Sequence, residues 1–406
     1  MSNLLNEGYS GKFRIQRAKN QYIFDSNNKK FIDLSMCSGT MILGHSSKEF
    51  KKAIEIQKNY GSSFGLPNKN ADNYSYVLKK IFPHYSKFIL SSSGAEANIR
   101  AVRLARAITK KDLIIMVSGS WHGSVDSLLF DLKDRKKESL SDGIPNNYKK
   151  NVIVIPYNNF NKSKKIIQKN KRKIALLIIE PIQQYLPTNN SEVYIKKIFH
   201  LCKKNKILVC FDEMITGMRT KEFSVQQKLN LRPDISTFGK IVGGGLPIGV
   251  LGVSKKIERK IKKNNIFFGG TYSANPLACY TGLKTLEFII KNKTKIYKKL
   301  DNLSKFFVKN MNQHFIKNKI KMRIYNYHTM MRLIFTDKNV RNREERDNSE
   351  KKIAKKIFKL QEYSKKNNVI YPSRGAFFLS YAHEKNDILK IIKVFKKGIK
   401  KFFQTR

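Results

Sequence analysis

The chain has 406 residues, 41% of them hydrophobic, enough for two packed lobes and too long for a single core of usual size. Its formal net charge is +51, with 81 Lys and Arg against 30 Asp and Glu. Lysines run along almost the whole chain, mixed with Asn and Ile. No zinc finger, RNP motif or basic coiled coil accompanies them, so the charge reads as compositional bias rather than as a nucleic-acid surface.

The four cysteines, Cys37, Cys202, Cys210 and Cys279, are scattered and form no Cys-x-x-Cys pair. That argues against a zinc site or a disulfide framework and suits a reducing, cytoplasmic setting. Met1 to Gly8 shows no basic region followed by an apolar run, so no signal peptide is expected. No apolar stretch approaches the length of a bilayer-spanning helix, and no membrane association is expected.

In chain order, Gln21-Tyr22-Ile23-Phe24 and Phe31-Ile32-Asp33-Leu34 read as strands. Ser46-Ser47-Lys48-Glu49 sets Ser46 three residues before Glu49, a capping box ahead of a helix with Phe50 and Ile54 on one face. Short apolar runs then recur at 87–90, 113–117, 152–155, 175–179, 207–211 and 248–253, each followed by turn residues and a helical stretch. Continuous apolar strands of this kind predict a mostly parallel sheet buried on both faces, an α/β fold with helices as crossovers. Glu96 to Ile108 is one such helix. From about Lys291 the pattern changes to a long Lys-rich helix, a strand near Met330–Phe335 and helices over 351–365 and 387–402. The expected division is an N-terminal segment of the small domain over 1–45, a large domain over 46–290 and a C-terminal small α+β domain over 291–406.

In such sheets ligands sit beyond the C-terminal strand ends, and four groups of interest fall there. Ser93-Gly94-Ala95 opens a helix, where unpaired N–H groups and the helix dipole favour a phosphate; alone, Ser93 reads equally as an ordinary N-cap. Asp212 ends an apolar strand and could pair with a protonated ring nitrogen, or simply cap a turn. Glu180-Pro181 ends another strand. Trp121-His122-Gly123 offers the only tryptophan, either an aromatic face for a planar cofactor or a core side chain. Lys240 stands between apolar residues beside Gly243-Gly244-Gly245; partial burial would favour the neutral amine that condenses with an aldehyde, and the alternative is one more surface lysine. Gly269-Gly270-Thr271 precedes a further helix and offers a hydroxyl and an N–H, or only a capping turn.

Together these motifs resemble the class III pyridoxal-5′-phosphate (PLP) aminotransferases of fold type I, and within them the glutamate-1-semialdehyde 2,1-aminomutase branch. The resemblance spans about Tyr22 to residue 395. Trp121-His122-Gly123-Ser124-Val125-Asp126-Ser127-Leu128 is similar to that branch's Tyr-His-Gly-His-Ala-Asp-Ser-Leu, and Asp212-Glu213-Met214-Ile215-Thr216-Gly217-Met218-Arg219 to its Asp-Glu-Val-Met-Thr-Gly-Phe-Arg. Gly239-Lys240-Ile241-Val242-Gly243-Gly244-Gly245-Leu246-Pro247 is a near copy. The resemblance implies Lys240 as Schiff-base lysine and proton shuttle, and Asp212 as partner of the pyridinium nitrogen. It implies Trp121, with His122, against the PLP ring and Ser93, Gly94 and Ala95 at the phosphate. Thr271 would reach the phosphate of the second subunit of a homodimer.

The departures lie on the substrate side. The family's N-terminal Ser and Arg have no recognisable counterpart, and Ser-Trp-Gly-Pro appears as Cys37-Ser38-Gly39-Thr40. Pro-Ser-Gln-Phe-Glu-Ala appears as Pro372-Ser373-Arg374-Gly375-Ala376, one residue shorter and without the Glu. Arg374 is therefore a candidate anchor for an anionic substrate group, or a solvated Arg. The expected activity is amino transfer between a small-molecule donor and a carbonyl acceptor. The alternative is a true aminomutase, which moves the amino group within one substrate. A nucleic-acid-binding protein on a retired scaffold would predict decay at Lys240 or Asp212, and both are present.

Overall fold

The computed structural model describes residues 13–134, 136–373 and 375–404. Its central feature follows from runs such as Ile174–Ile179, Ile-Ala-Leu-Leu-Ile-Ile, buried at every position. Such a run without alternation fits only where both faces of the sheet are covered. Leu176 and Ile178 pack with Ala101 and Leu104 of the helix Gly94–Thr109. Leu177 and Ile179 point the other way and pack with Ile195 and Ile198 of the helix Ser191–Lys204.

The sheet has seven strands, in the order Tyr85–Ser91, Gly249–Ser254, Ile235–Gly239, Leu208–Asp212, Ile174–Ile179, Leu113–Val117, Val152–Ile155. Gly249–Ser254 runs antiparallel to both its neighbours, and the pairs among the next five strands are parallel. Six of these strands coincide with the apolar runs in the sequence. The seventh, Ile235–Gly239, carries Ser236 and Thr237 in place of a continuous apolar run. Its hydroxyls are buried but satisfied: Tyr85 donates to Ser236 Oγ at 2.5 Å, and Thr237 donates to Asn98 Oδ1 at 2.8 Å.

A second set of elements packs around its own core. Ile15–Lys19, Tyr22–Asp25, Lys30–Asp33 and Val369–Ile370 form one sheet, and Arg323–Tyr327, Met330–Ile334 and Ala376–Phe378 form another. Helices Lys293–Lys317, Ala354–Lys366 and Lys385–Phe403 belong to this region. The last buries Ile388, Ile391, Ile392, Phe395 and Ile399 and exposes Lys390, Lys393, Lys397 and Lys400. The lysines thus fill the polar stripe of an ordinary amphipathic helix.

The capping reading at residue 46 needs correction. The helix Lys48–Gln57 is capped by Ser47, whose side chain accepts from Phe50 N at 3.2 Å. Ser46 instead donates to the Ala18 carbonyl at 3.0 Å. Two adjacent serines compete for one cap, and the chain's entry angle selects the second.

Candidate active site

The parallel register brings Asp212, Glu180, Lys240, the start of the helix Gly94–Thr109 and the Trp121–Gly123 turn to one edge of the sheet. Each of these follows, or ends, a strand running the same way, so the strand ends aim them at a common space.

Ser93 is the helix N-cap, with its Oγ accepting from Glu96 N at 3.2 Å. The Gly94 and Ala95 N–H groups make no hydrogen bond among the described residues and face outward at the positive end of a 16-residue helix. Two neighbours close in on this turn. A Cβ at Gly94 would lie 2.7 Å from Met214 Sδ, and one at Gly123 would lie 2.8 Å from Ala95 Cβ. Gly123 also has a φ of +89°, a region that disfavours side chains. The 121–123 turn and the 212–214 segment therefore seat directly on the helix start.

Asp212 is 2% exposed and is surrounded by donors. Its Oδ2 accepts from Asn98 Nδ2 at 2.8 Å and contacts His122 Nδ1 at 2.7 Å, and its Oδ1 accepts from Met214 N at 3.1 Å. Asn98 also donates to the His122 carbonyl at 2.9 Å, so one amide fixes both ends of the pair. His122 Nε2 is buried without a partner among the described residues. Glu180 is buried as well. It accepts from Trp121 N at 2.6 Å, and burial pushes its carboxyl up to about 7.

Lys240 begins a tight turn with a φ of +49° directly after the strand Ile235–Gly239. Burial lowers its amine below the usual lysine range, while Asp212 and Glu180 act in the opposite sense. Its side chain lines a cavity of about 240 Å³ together with Trp121, Gln184, Tyr185 and Phe378. Trp121 is 36% exposed, so it is a wall residue rather than a core one.

Thr271 does not line this cavity. It lies exposed in the segment before the helix Pro276–Lys291, which is tied to the helix 94–109 by Arg100 donating to the Gly269 carbonyl at 2.9 Å and to Ser273 Oγ at 3.0 Å. Arg374 lies outside the described residues. Asn98, Tyr185 and Arg219 were not singled out in the sequence. Asn98 stands four residues after Gly94, hence on the same helix face, and a lone Asn among strong helix formers is the signal that points to it. Arg219 is 1% exposed, with no carboxylate partner among the described residues. It donates to the Ile215 and Gly39 carbonyls, and its guanidinium stands over the Phe378 ring at 5.0 Å. Through Gly39 and Phe378 it braces two segments bordering the cavity.

Comparison with known proteins gives this arrangement a family. The profile described as aminotransferase class-III matches residues 6–367. A glutamate-1-semialdehyde 2,1-aminomutase from Thermodesulfovibrio yellowstonii is 31% identical over 398 residues, covering 94% of this chain and 91% of the relative. One of the same name from Thermosipho melanesiensis is 33% identical over 399 residues, covering 95% and 92%. Among solved structures, an omega-transaminase from Sphaerobacter thermophilus matches with a TM-score of 0.89 at 20% identity, over 97% of this chain and 92% of that one. A glutamate-1-semialdehyde aminomutase from Pseudomonas aeruginosa in complex with PMP matches with a TM-score of 0.87 at 16% identity, over 96% and 88%. The structures carry the fold and the sequence match carries the family: the chain belongs to the class-III aminotransferases, PLP-dependent enzymes of fold type I.

Proposed function

We propose that this chain moves an amino group at PLP through Lys240, in the manner of the aminomutase branch. The observation that carries the reading is the convergence of a lysine amine with a lowered proton affinity and a donor-ringed carboxylate, Asp212, at one sheet edge. The cofactor fits the residues present. The two free N–H groups at Gly94 and Ala95 suit its phosphate, Asp212 suits its ring nitrogen, and Trp121 flanks the space between. When bound, PLP supplies the electron sink that stabilises negative charge at the substrate carbon. Asn98 and His122 hold the Asp212 carboxylate in place. Burial lowers the proton affinity of the Lys240 amine and so favours its neutral form, the form that bonds to a carbonyl and can take a proton from the substrate carbon and return it.

Two features of scale belong to the same proposal. The molecule works as a homodimer. Tyr60, Phe64 and Leu66 are 70%, 46% and 73% exposed, and Phe267 and Tyr272 are 75% and 64% exposed. Asn68 donates to the Ala274 carbonyl at 3.0 Å, which joins the two segments into one apolar face beside Thr271. A second copy covering that face would carry Thr271 to the neighbouring site. Free thiols at Cys202, Cys210 and Cys279, all buried, fit a reducing cytoplasm. No helix among the described residues is long and apolar enough to cross a membrane.

The aminomutase reading takes glutamate 1-semialdehyde, the substrate named by the relatives, as sole substrate. Transfer between two molecules is the second reading, favoured by Ser38 on the cavity wall, where the family's Trp is missing. Incubation with a single substrate separates them, since only an aminomutase turns over without an added acceptor. The core proposal is tested by borohydride reduction and peptide mapping, with the label expected on Lys240. Lys240→Ala should abolish turnover in a folded protein, and a label on any other lysine overturns the proposal.

A further inference from the structure

The cavity at Lys240 is walled by donors. Ser35, Ser38, Gln184, Tyr185 and Ser373 line it, and no Asp or Glu does so among the described residues. Pro372, Ala376 and Phe378 supply an apolar remainder. Hydroxyl, amide and amine donors without a carboxylate suit an occupant rich in acceptors.

Tyr185 is the most firmly held of these. The guanidiniums of Arg332, Arg343 and Arg346 stand 6.0, 5.7 and 5.5 Å from its ring centroid. Arg346 also donates from Nη1 to the Tyr185 carbonyl at 2.8 Å. The arginines are fixed in turn. Arg332 pairs with Glu350 at 2.7 Å, Arg343 pairs with Asp131 at 2.9 Å, and Asp347 binds both Arg343 and Arg346. Three carboxylates balance three guanidiniums, so the cage contributes position to the ring more than net charge. Tyr185 lines the cavity, and its hydroxyl makes no hydrogen bond among the described residues. A phenol held this way keeps a donor in reserve and loses little freedom when a ligand takes it.

We infer that Tyr185 is a specificity-determining residue, donating a hydrogen bond to a carboxylate on the amino substrate while Lys240 attends the reacting end. The inference rests on the reading of Lys240 given above and adds to it the residue that recognises the substrate's carboxylate. The serine hydroxyls at 35, 38 and 373 offer that carboxylate further donors.

The test uses the holoenzyme and two probes of equal size, 5-aminopentanoate and 5-aminopentanamide, followed in single turnover by loss of the visible band of the bound cofactor. The wild type should favour the carboxylate by about tenfold or more in apparent affinity. Tyr185→Phe should shrink that preference by roughly 10- to 150-fold, the range for one hydrogen bond to a charged group. The change should fall on the apparent affinity for the carboxylate more than on its saturated rate. An unaltered visible band and unfolding midpoint in Tyr185→Phe would show that the fold is intact. The inference is overturned if the ratio is unchanged in the variant, or if the wild type does not discriminate, whether it takes both probes equally or neither. Borohydride labelling keeps the two claims apart. A label at Lys240 with an unchanged ratio sinks the role of Tyr185 alone, and a label elsewhere sinks the site.

Discussion

Removing the Asn98 side chain should destabilise the protein and disturb the cofactor site together. Asn98 is 1% exposed and makes three hydrogen bonds, accepting from Thr237 Oγ1 at 2.8 Å and donating to Asp212 Oδ2 at 2.8 Å and to the His122 carbonyl at 2.9 Å. In Asn98→Ala the Thr237 hydroxyl can turn toward Cys210, so its loss is small. The His122 carbonyl has no such recourse, and Asp212 keeps only His122 and Met214 N. Two buried groups losing a partner at about 1–3 kcal/mol each give about 2–6 kcal/mol, a large part of the roughly 5–15 kcal/mol that holds a folded protein together. The assay is the urea midpoint of the apoenzyme at constant m, alongside the PLP dissociation constant and the visible spectrum of the loaded form. Asn98→Asp separates charge from packing. It fills the same volume but sets a second carboxylate against Asp212, and should be worse than Asn98→Ala. A shift below about 0.5 kcal/mol with an unchanged spectrum, or an Asp variant better tolerated than the Ala variant, would refute this account of how Asp212 is held.

Gly123→Ala places a side chain at a φ of +89° with its Cβ 2.8 Å from Ala95 Cβ and 3.0 Å from Ala95 Cα. Backbone strain and overpacking should together cost about 2–5 kcal/mol and weaken PLP binding, and a variant with native midpoint and affinity would count against the packed cradle. Glu180 is raised to about 7 by burial, so between roughly pH 4.5 and 7 the folded state holds a proton that the unfolded state has released. Apoenzyme stability should therefore fall by about 1.4 kcal/mol per pH unit on Glu180's account as pH rises through that window. Glu180→Gln should flatten the slope by that amount, with denaturant titrations at pH 5, 6 and 7 as the measure; an identical slope would show that Glu180 is charged throughout. Phe267→Asp puts a charge on the exposed apolar face and should yield an inactive monomer by sedimentation velocity, whereas an intact dimer would move the interface elsewhere.

The amino-acid order alone made six of the seven strands of the large sheet legible and singled out Lys240 and Asp212, the two residues proposed to carry the chemistry. Runs such as Ile-Ala-Leu-Leu-Ile-Ile at 174–179 admit only a strand covered on both faces, because apolar side chains on both sides of the pleat leave neither face for water. Lys240 declared itself by its glycine surroundings, and Asp212 by ending such a run. Ile235–Gly239 escaped notice because Ser236 and Thr237 read as polar until Tyr85 and Asn98, far away in the chain, supply their partners. The same holds for the cap at Ser47, where two serines were equivalent until the path into the helix chose between them. The tertiary structure alone decided what surrounds the site. Asn98 meets Asp212 because a helix face and a strand end happen to share a register, and Tyr185 meets three arginines because the strand Met330–Ile334 and the helix Arg343–Lys351 from the C-terminal third both pack against it. Periodicity fixes which face a residue occupies and says nothing of which distant side chain will lie opposite, since that depends on the packing of whole elements and the rotamers they permit.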